Sequence, residues 1–136
     1  VAERMIATPG GKDHGILAVV LGSVFDIKLV RTVPSSVFWP KPDVASAIVR
    51  LVPKEFLAAE IWTDAEFATF TATVKTLFGQ RRKKLRNQLR QHFNLGSAEV
   101  DVLAEELGID VDRRPEQCSG TDFRRLAAAL AQRGPA

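Results

Sequence analysis

Apolar residues follow two regimes along this chain: short runs broken by proline and glycine before Lys54, and a three-and-four-residue spacing from Thr63 onward. Residues 1–8 read as the end of a helix, stopped by Pro9-Gly10-Gly11. After a loop at Lys12–Gly15, apolar residues at 16, 17, 20, 21 and 24 predict a helix over Ile16–Phe25. Ile27–Val33 alternates in part and is β-branched, which predicts a strand. Pro34–Pro42 holds three prolines in nine residues and must be irregular, since each fixes φ and removes a donor. Val44–Pro53 then predicts a second strand, so nearly continuous in apolar residues that both faces should be buried.

Helical signals take over at Thr63-x-x-Glu66, a capping box. Behind it Phe67, Phe70, Val74, Leu77 and Phe78 form one apolar stripe, and Gly79 ends or kinks the helix. Gln80–Phe93 reads as a further helix with Leu85, Leu89 and Phe93 as its stripe. Glu99–Leu107 follows behind a Ser97 cap and stops at Gly108. The last helix spans about Thr121–Gln132, introduced by the capping box Ser119-x-x-Asp122.

The order is strand, strand, then about four helices, an α+β pattern whose composition shifts at Lys54–Trp62. Two strands do not make a self-sufficient sheet. Residues 1–53 therefore read as the edge of a sheet, 54–62 as a linker, and 63–136 as a small helical domain. The opening Val1-Ala2-Glu3-Arg4-Met5-Ile6 reads as helix interior without an N-cap or initiator Met, as if cut from a longer protein.

Composition narrows the function classes. With 46% hydrophobic and 26% charged residues the chain is of globular type, not disordered. No apolar run approaches the roughly 20 residues that cross a bilayer, so no membrane role is expected. Cys118 is the single cysteine, which precludes an internal disulfide and favours a reducing, cytoplasmic setting. It reads as a small buried residue. His14 and His92 have no acidic or cysteine partner at ligand spacing, so no metal site is expected. Pro9-Gly10-Gly11-Lys12-Asp13 lacks the spacing and the Ser/Thr of a phosphate loop and reads as a turn.

The net charge is only +3, yet six of the ten residues Arg81–Arg90 are basic and none is acidic. On a helix at about 100° per residue, Arg82, Lys83, Arg86, Asn87 and Arg90 share one flank of roughly 140° beside the Leu85/Leu89 stripe. Arg81 lies opposite and Lys84 faces away from the core. A solvated face is the ordinary reading of such a helix. The unbroken sign, without acids four residues away, favours a surface gripping a nucleic-acid backbone. Guanidinium groups match phosphates bidentately and stack on bases, and Asn87 can reach a sugar or base edge. The loop Phe38-Trp39-Pro40-Lys41-Pro42 allows two readings: aromatics that plug the core, or a stiff platform for an extruded base. On the residues alone the first is slightly favoured.

Taken together, VAERMIATPGGKDHG, VPSSVFWPKPDVASAIVRLVP and FGQRRKKLRNQL resemble the C-terminal half of the KsgA-type ribosomal RNA adenine N6-dimethyltransferases. The likeness extends over nearly the whole chain, to Arg114-x-Glu116 and Ser119. Its specific motifs are Phe38, Pro40, Pro42, Val44 and Ser46, and the run Arg81, Arg82, Lys83, Leu85, Arg86 and Asn87. The resemblance implies the last two strands and flanking helices of a Rossmann-like methyltransferase sheet, followed by a helical rRNA-binding domain. It implies S-adenosylmethionine as cofactor of the full-length enzyme and two adjacent adenines of small-subunit rRNA as its target. Phe38 would stack on the target adenine, reversing the core-plug reading. Arg81, Arg82, Lys83, Lys84, Arg86, Asn87, Arg90 and Lys41 would contact RNA. Asp43 stands where the family usually has lysine, and Gly11 and His14 replace its usual serine and tyrosine. No Gly-rich cofactor loop and no Asn-Leu-Pro-Tyr motif occur in these residues, so the chain alone is expected to bind RNA, take no cofactor and be inactive. An exposed sheet edge would favour self-association. A stand-alone, non-enzymatic nucleic-acid-binding module and a large-subunit methylase of the macrolide-resistance type are the competing readings.

Overall fold

The computed structural model describes residues 1–54 and 63–133. The proposed linker, apart from Lys54, lies outside the described residues. The first helix, α1, is a single turn at Ala2–Met5, and Gly10 beyond it takes a positive φ of 88° that suits glycine. Helix α2 covers Ile16–Val24 and runs directly into strand β1, Phe25–Val33. A 3-10 turn at Ser35–Val37 opens the proline-rich connection, and β2 follows at Ser46–Pro53. The two strands pair antiparallel from Phe25↔Pro53 to Val33↔Ser46, with a bulge between Leu29 and Arg31.

The expectation that the second strand is buried on both faces does not hold in this chain. Val44 precedes the strand and is exposed; within the hairpin, Val30 is 57% and Ile48 46% exposed. Continuous apolarity marks a strand that needs cover on both faces, but the described residues form only a two-stranded sheet with little to bury it.

The helices form the core. α3, Asp64–Phe78, begins with the reciprocal capping box: Glu66 N–H donates to Thr63 Oγ1 at 3.1 Å, and Thr63 N–H to Glu66 Oε2 at 3.0 Å. α4 covers Leu85–His92, α5 Ser97–Leu107 and α6 Gly120–Gln132. The N-cap of α5 is Gly96 rather than Ser97, because the Glu99 carboxylate reaches back to accept from the Gly96 N–H at 3.3 Å. Gly108 ends α5 at φ 65°. Ser119 and Asp122 form the second reciprocal box, at 3.0 and 3.1 Å. Phe70, Val74, Leu77, Leu85, Leu89, Val100, Leu103, Phe123 and Leu126 make one buried cluster, which Val19 of α2 also joins. No described helix is long and apolar enough to cross a membrane.

The Pro9–Gly15 loop docks on the segment before α6. Gly10 N–H donates to Glu116 O at 2.8 Å, which commits the donor a phosphate loop would need. His14 is buried, with Nε2 2.8 Å from Cys118 O, Nδ1 3.3 Å from Ala7 O, and its ring edge-on to Phe78. Cys118 is buried as expected, and burial pushes its thiol up to about 12, so it stays protonated at neutral pH. Among the described residues no three His, Cys, Asp or Glu side chains cluster in metal-binding fashion.

Candidate nucleic-acid interface

The basic segment is not one helix. α3 ends at Phe78 with Gly79 as C-cap, and α4 starts only at Leu85, so Gln80–Lys84 is a turn. The common flank expected for Arg82, Lys83, Arg86, Asn87 and Arg90 is therefore corrected: only the last three stand on α4. The cause is tertiary. Lys83 N–H closes on Gln80 O at 2.9 Å, and the buried Gln88 side chain donates to the carbonyls of both residues. Lys84 then takes an extended conformation as N-cap. The first N–H groups of α4 donate to a neighbouring loop: Leu85 to Arg113 O at 2.9 Å and Arg86 to Val111 O at 2.8 Å. The start of this helix is consequently no open phosphate cradle.

The cations divide into two sets. Arg81 donates through Nη2 to Glu116 Oε2 and to Lys12 O, both at 3.0 Å, tying the turn to the Pro9–Gly15 loop. It also borders an open cleft of about 490 Å³ lined by Arg4, Lys12, Ile16, Leu17 and Phe78. Arg86 bridges Asp112, at 3.1 Å, and Asp101, at 2.5 Å. Those bonds hold its guanidinium further above its ordinary range, Asp112 contributing most, and hold the Asp112 carboxyl below its own. The absence of acids one helical turn away holds, but these two arginines find acidic partners 15 to 35 residues away, which no local pattern announces.

Arg82, Lys83, Lys84 and Arg90 are exposed and form no ion pair with a described residue, and Asn87 is exposed beside them. The bonds from Leu85 and Arg86 also bring the 111–113 backbone against the start of α4, and Arg113 and Arg114 are exposed at the end of that segment. Arg113 has a long contact to Asp110 at 3.6 Å. Neither is among the RNA contacts expected from the sequence, although the Arg113-Arg114 pair is an available signal.

Phe38 and Lys41 lie on the connection between β1 and β2, joined to the basic turn by no described hydrogen bond or ion pair. The core-plug reading of this loop does not hold: Phe38 is 44% and Trp39 96% exposed, and Lys41 is exposed. In open α/β sheets, ligands bind in the crevice outside the carboxyl ends of the strands. The described residues offer one antiparallel pair, and the sequence has no Gly-rich loop.

Comparison with known proteins gives this geometry a family. The chain is 37% identical over 137 residues to the ribosomal RNA small subunit methyltransferase A of Myxococcus xanthus, covering all of this chain and 47% of that protein. It is 39% identical over 113 residues to the protein of the same name from Chlorobium phaeobacteroides, covering 81% of this chain and 41% of that one. The chain thus spans less than half the length of these curated relatives. Among solved structures, a dimethyladenosine transferase from Plasmodium falciparum shares the fold at a TM-score of 0.76 and 23% identity, over 98% of this chain and 55% of that one. The 23S rRNA methyltransferase ErmE shares it at a TM-score of 0.62 and 21% identity, over 96% and 51%. The family model for ribosomal RNA adenine dimethylase matches residues 1–132, and the chain belongs to that family.

Proposed function

We propose that this chain docks small-subunit ribosomal RNA as the substrate-positioning half of an rRNA adenine N6-dimethyltransferase, and transfers no methyl group by itself. The observation that carries this reading is the set of exposed cations Arg82, Lys83, Lys84 and Arg90, which form no ion pair with a described residue, on a turn and helix whose Arg81 and Arg86 are used internally. Their charge is available to phosphates, and each contact releases counterions. Arg113 and Arg114 extend the surface. Phe38 is the stacking ring for the target adenine, with Lys41 on the adjoining backbone; both are exposed on a connection stiffened by Pro34, Pro40 and Pro42. In the whole enzyme S-adenosylmethionine supplies the methyl group. The residues of this chain bind the RNA and set its register.

The test is a titration of the chain with a small-subunit rRNA fragment between about 50 and about 200 mM salt, alongside calorimetry with S-adenosylmethionine. Expected is RNA affinity that falls by about a hundredfold or more across that range, with no heat from the cofactor. Salt-independent or absent RNA binding refutes the docking role, and micromolar cofactor affinity refutes the inactive-half reading.

The hairpin supports a second property. Its apolar residues Leu29, Val30, Ile48 and Leu51 are exposed, together with strand edges that no described residue pairs. Self-association of this chain through that sheet is the expected result. Sedimentation should show a concentration-dependent dimer, weakened by Val30→Lys; a monomer at all concentrations refutes it.

A further inference from the structure

Gln88 is an unusual residue to find at the centre of a helical core. It is 0% exposed, between Leu85 and Leu89 on the buried face of α4. Its Nε2 donates to Gln80 O at 2.9 Å and Lys83 O at 3.1 Å. Both neighbours are carbonyl oxygens, so only the NH₂ end of the amide can face them. The other end, Oε1, is buried without a hydrogen-bond partner among the described residues. A side chain present for packing alone would be better served by methionine or leucine, which carry no carbonyl to desolvate. What the amide contributes is its pair of donors, and both are spent on the turn that carries Arg82, Lys83 and Lys84.

We infer that Gln88 is the positioning residue of the basic turn. Its bonds to the carbonyls at both ends of Gln80–Lys83 fix the turn against α4, and with it the places of the three exposed cations. The turn is also held by Gln80 N–H to Leu77 O at 3.3 Å, Lys83 N–H to Gln80 O at 2.9 Å, His92 Nε2 3.3 Å from the Gln80 side-chain oxygen, and the Arg81 side chain on Glu116 and Lys12 O at 3.0 Å. Gln88 is the side chain that bonds the carbonyls of both Gln80 and Lys83 from the buried face of α4. Long cationic side chains on a loose turn still attract RNA, but each contact then carries the cost of ordering the backbone. This inference rests on the reading of that turn as an RNA contact, and it assigns the residue that preorganises it.

The test is a double-mutant cycle between Gln88→Met, which keeps length and removes both donors, and the triple alanine variant at Arg82, Lys83 and Lys84. Binding of a small-subunit rRNA fragment is measured on folded protein, with hydrogen exchange at the Lys83 amide as a second readout. Expected is a loss of about tenfold in affinity for Gln88→Met, within the range of a coupled network, faster exchange at Lys83, and almost no further loss when Gln88→Met is added to the triple variant. A merely structural role lowers the unfolding midpoint but leaves the affinity of the folded protein, or adds in full to the triple variant; either result overturns the inference. If the triple variant alone leaves RNA affinity unchanged, the RNA reading of the turn fails, while unchanged Lys83 exchange in Gln88→Met separately refutes the positioning role. Should Gln88→Met not fold, Gln88→Asn retains the amide, draws it back by one methylene, and is read in the same way.

Discussion

Replacing Phe123 by alanine lowers the stability of the helical core by about 3–5 kcal/mol. The ring is 1% exposed at the first turn of α6 and lies 5.3 Å from that of Phe78, centroid to centroid, so its removal opens a cavity and breaks an aromatic pair. Phe78 in turn meets the edge of His14, which bonds Cys118 O; the ring therefore helps seat α3, α6 and the Pro9–Gly15 loop on one another. Against a typical domain stability of about 5–15 kcal/mol, such a loss leaves a marginal fold. Urea unfolding measures it as a large drop in midpoint at unchanged slope. The contrast is Trp39→Ala. Its ring is 96% exposed, and removal should change stability by less than about 0.5 kcal/mol. A small effect at Phe123 would mean that α6 is not seated where its buried face indicates.

Phe123 and Trp39 also illustrate what the sequence could and could not tell. The stripe Phe67, Phe70, Val74, Leu77, Phe78 and both reciprocal capping boxes involve residues three or four apart, and the structure repeats them closely. Local chemistry decides such features. The start of α4 is decided elsewhere, by carbonyls of Val111 and Arg113 that no local pattern announces. The same holds for Arg86, whose partners Asp101 and Asp112 come from α5 and the loop beyond it. Periodicity gave Gln88 no role, because a glutamine among basic residues reads as surface; only its burial against the turn reveals its two bonds. For β2, apolarity signalled the need for cover but not whether these residues supply it.

Replacing Arg82, Lys83 and Lys84 together by alanine reduces the slope of log K for RNA binding against log salt by about 2–3 units. Three phosphate contacts at about 0.7–0.9 units each give that figure, the lower value for single strands and the higher for duplex. The prediction depends on these side chains being exposed and without an ion pair among the described residues. Arg86→Ala supplies the control. Its charge is already matched by two carboxylates, so it has little to give a phosphate, and most of the slope should survive its loss. What Arg86→Ala removes is the tie from α4 to α5 and to Asp112, and the two stranded carboxylates then repel RNA beside the turn. Affinity falls in both variants, but only the triple variant flattens the salt dependence. Equal slopes in wild type and triple variant would mean that the turn does not grip the backbone, and a slope lost equally in Arg86→Ala would mean that the internal bridge opens to let Arg86 bind.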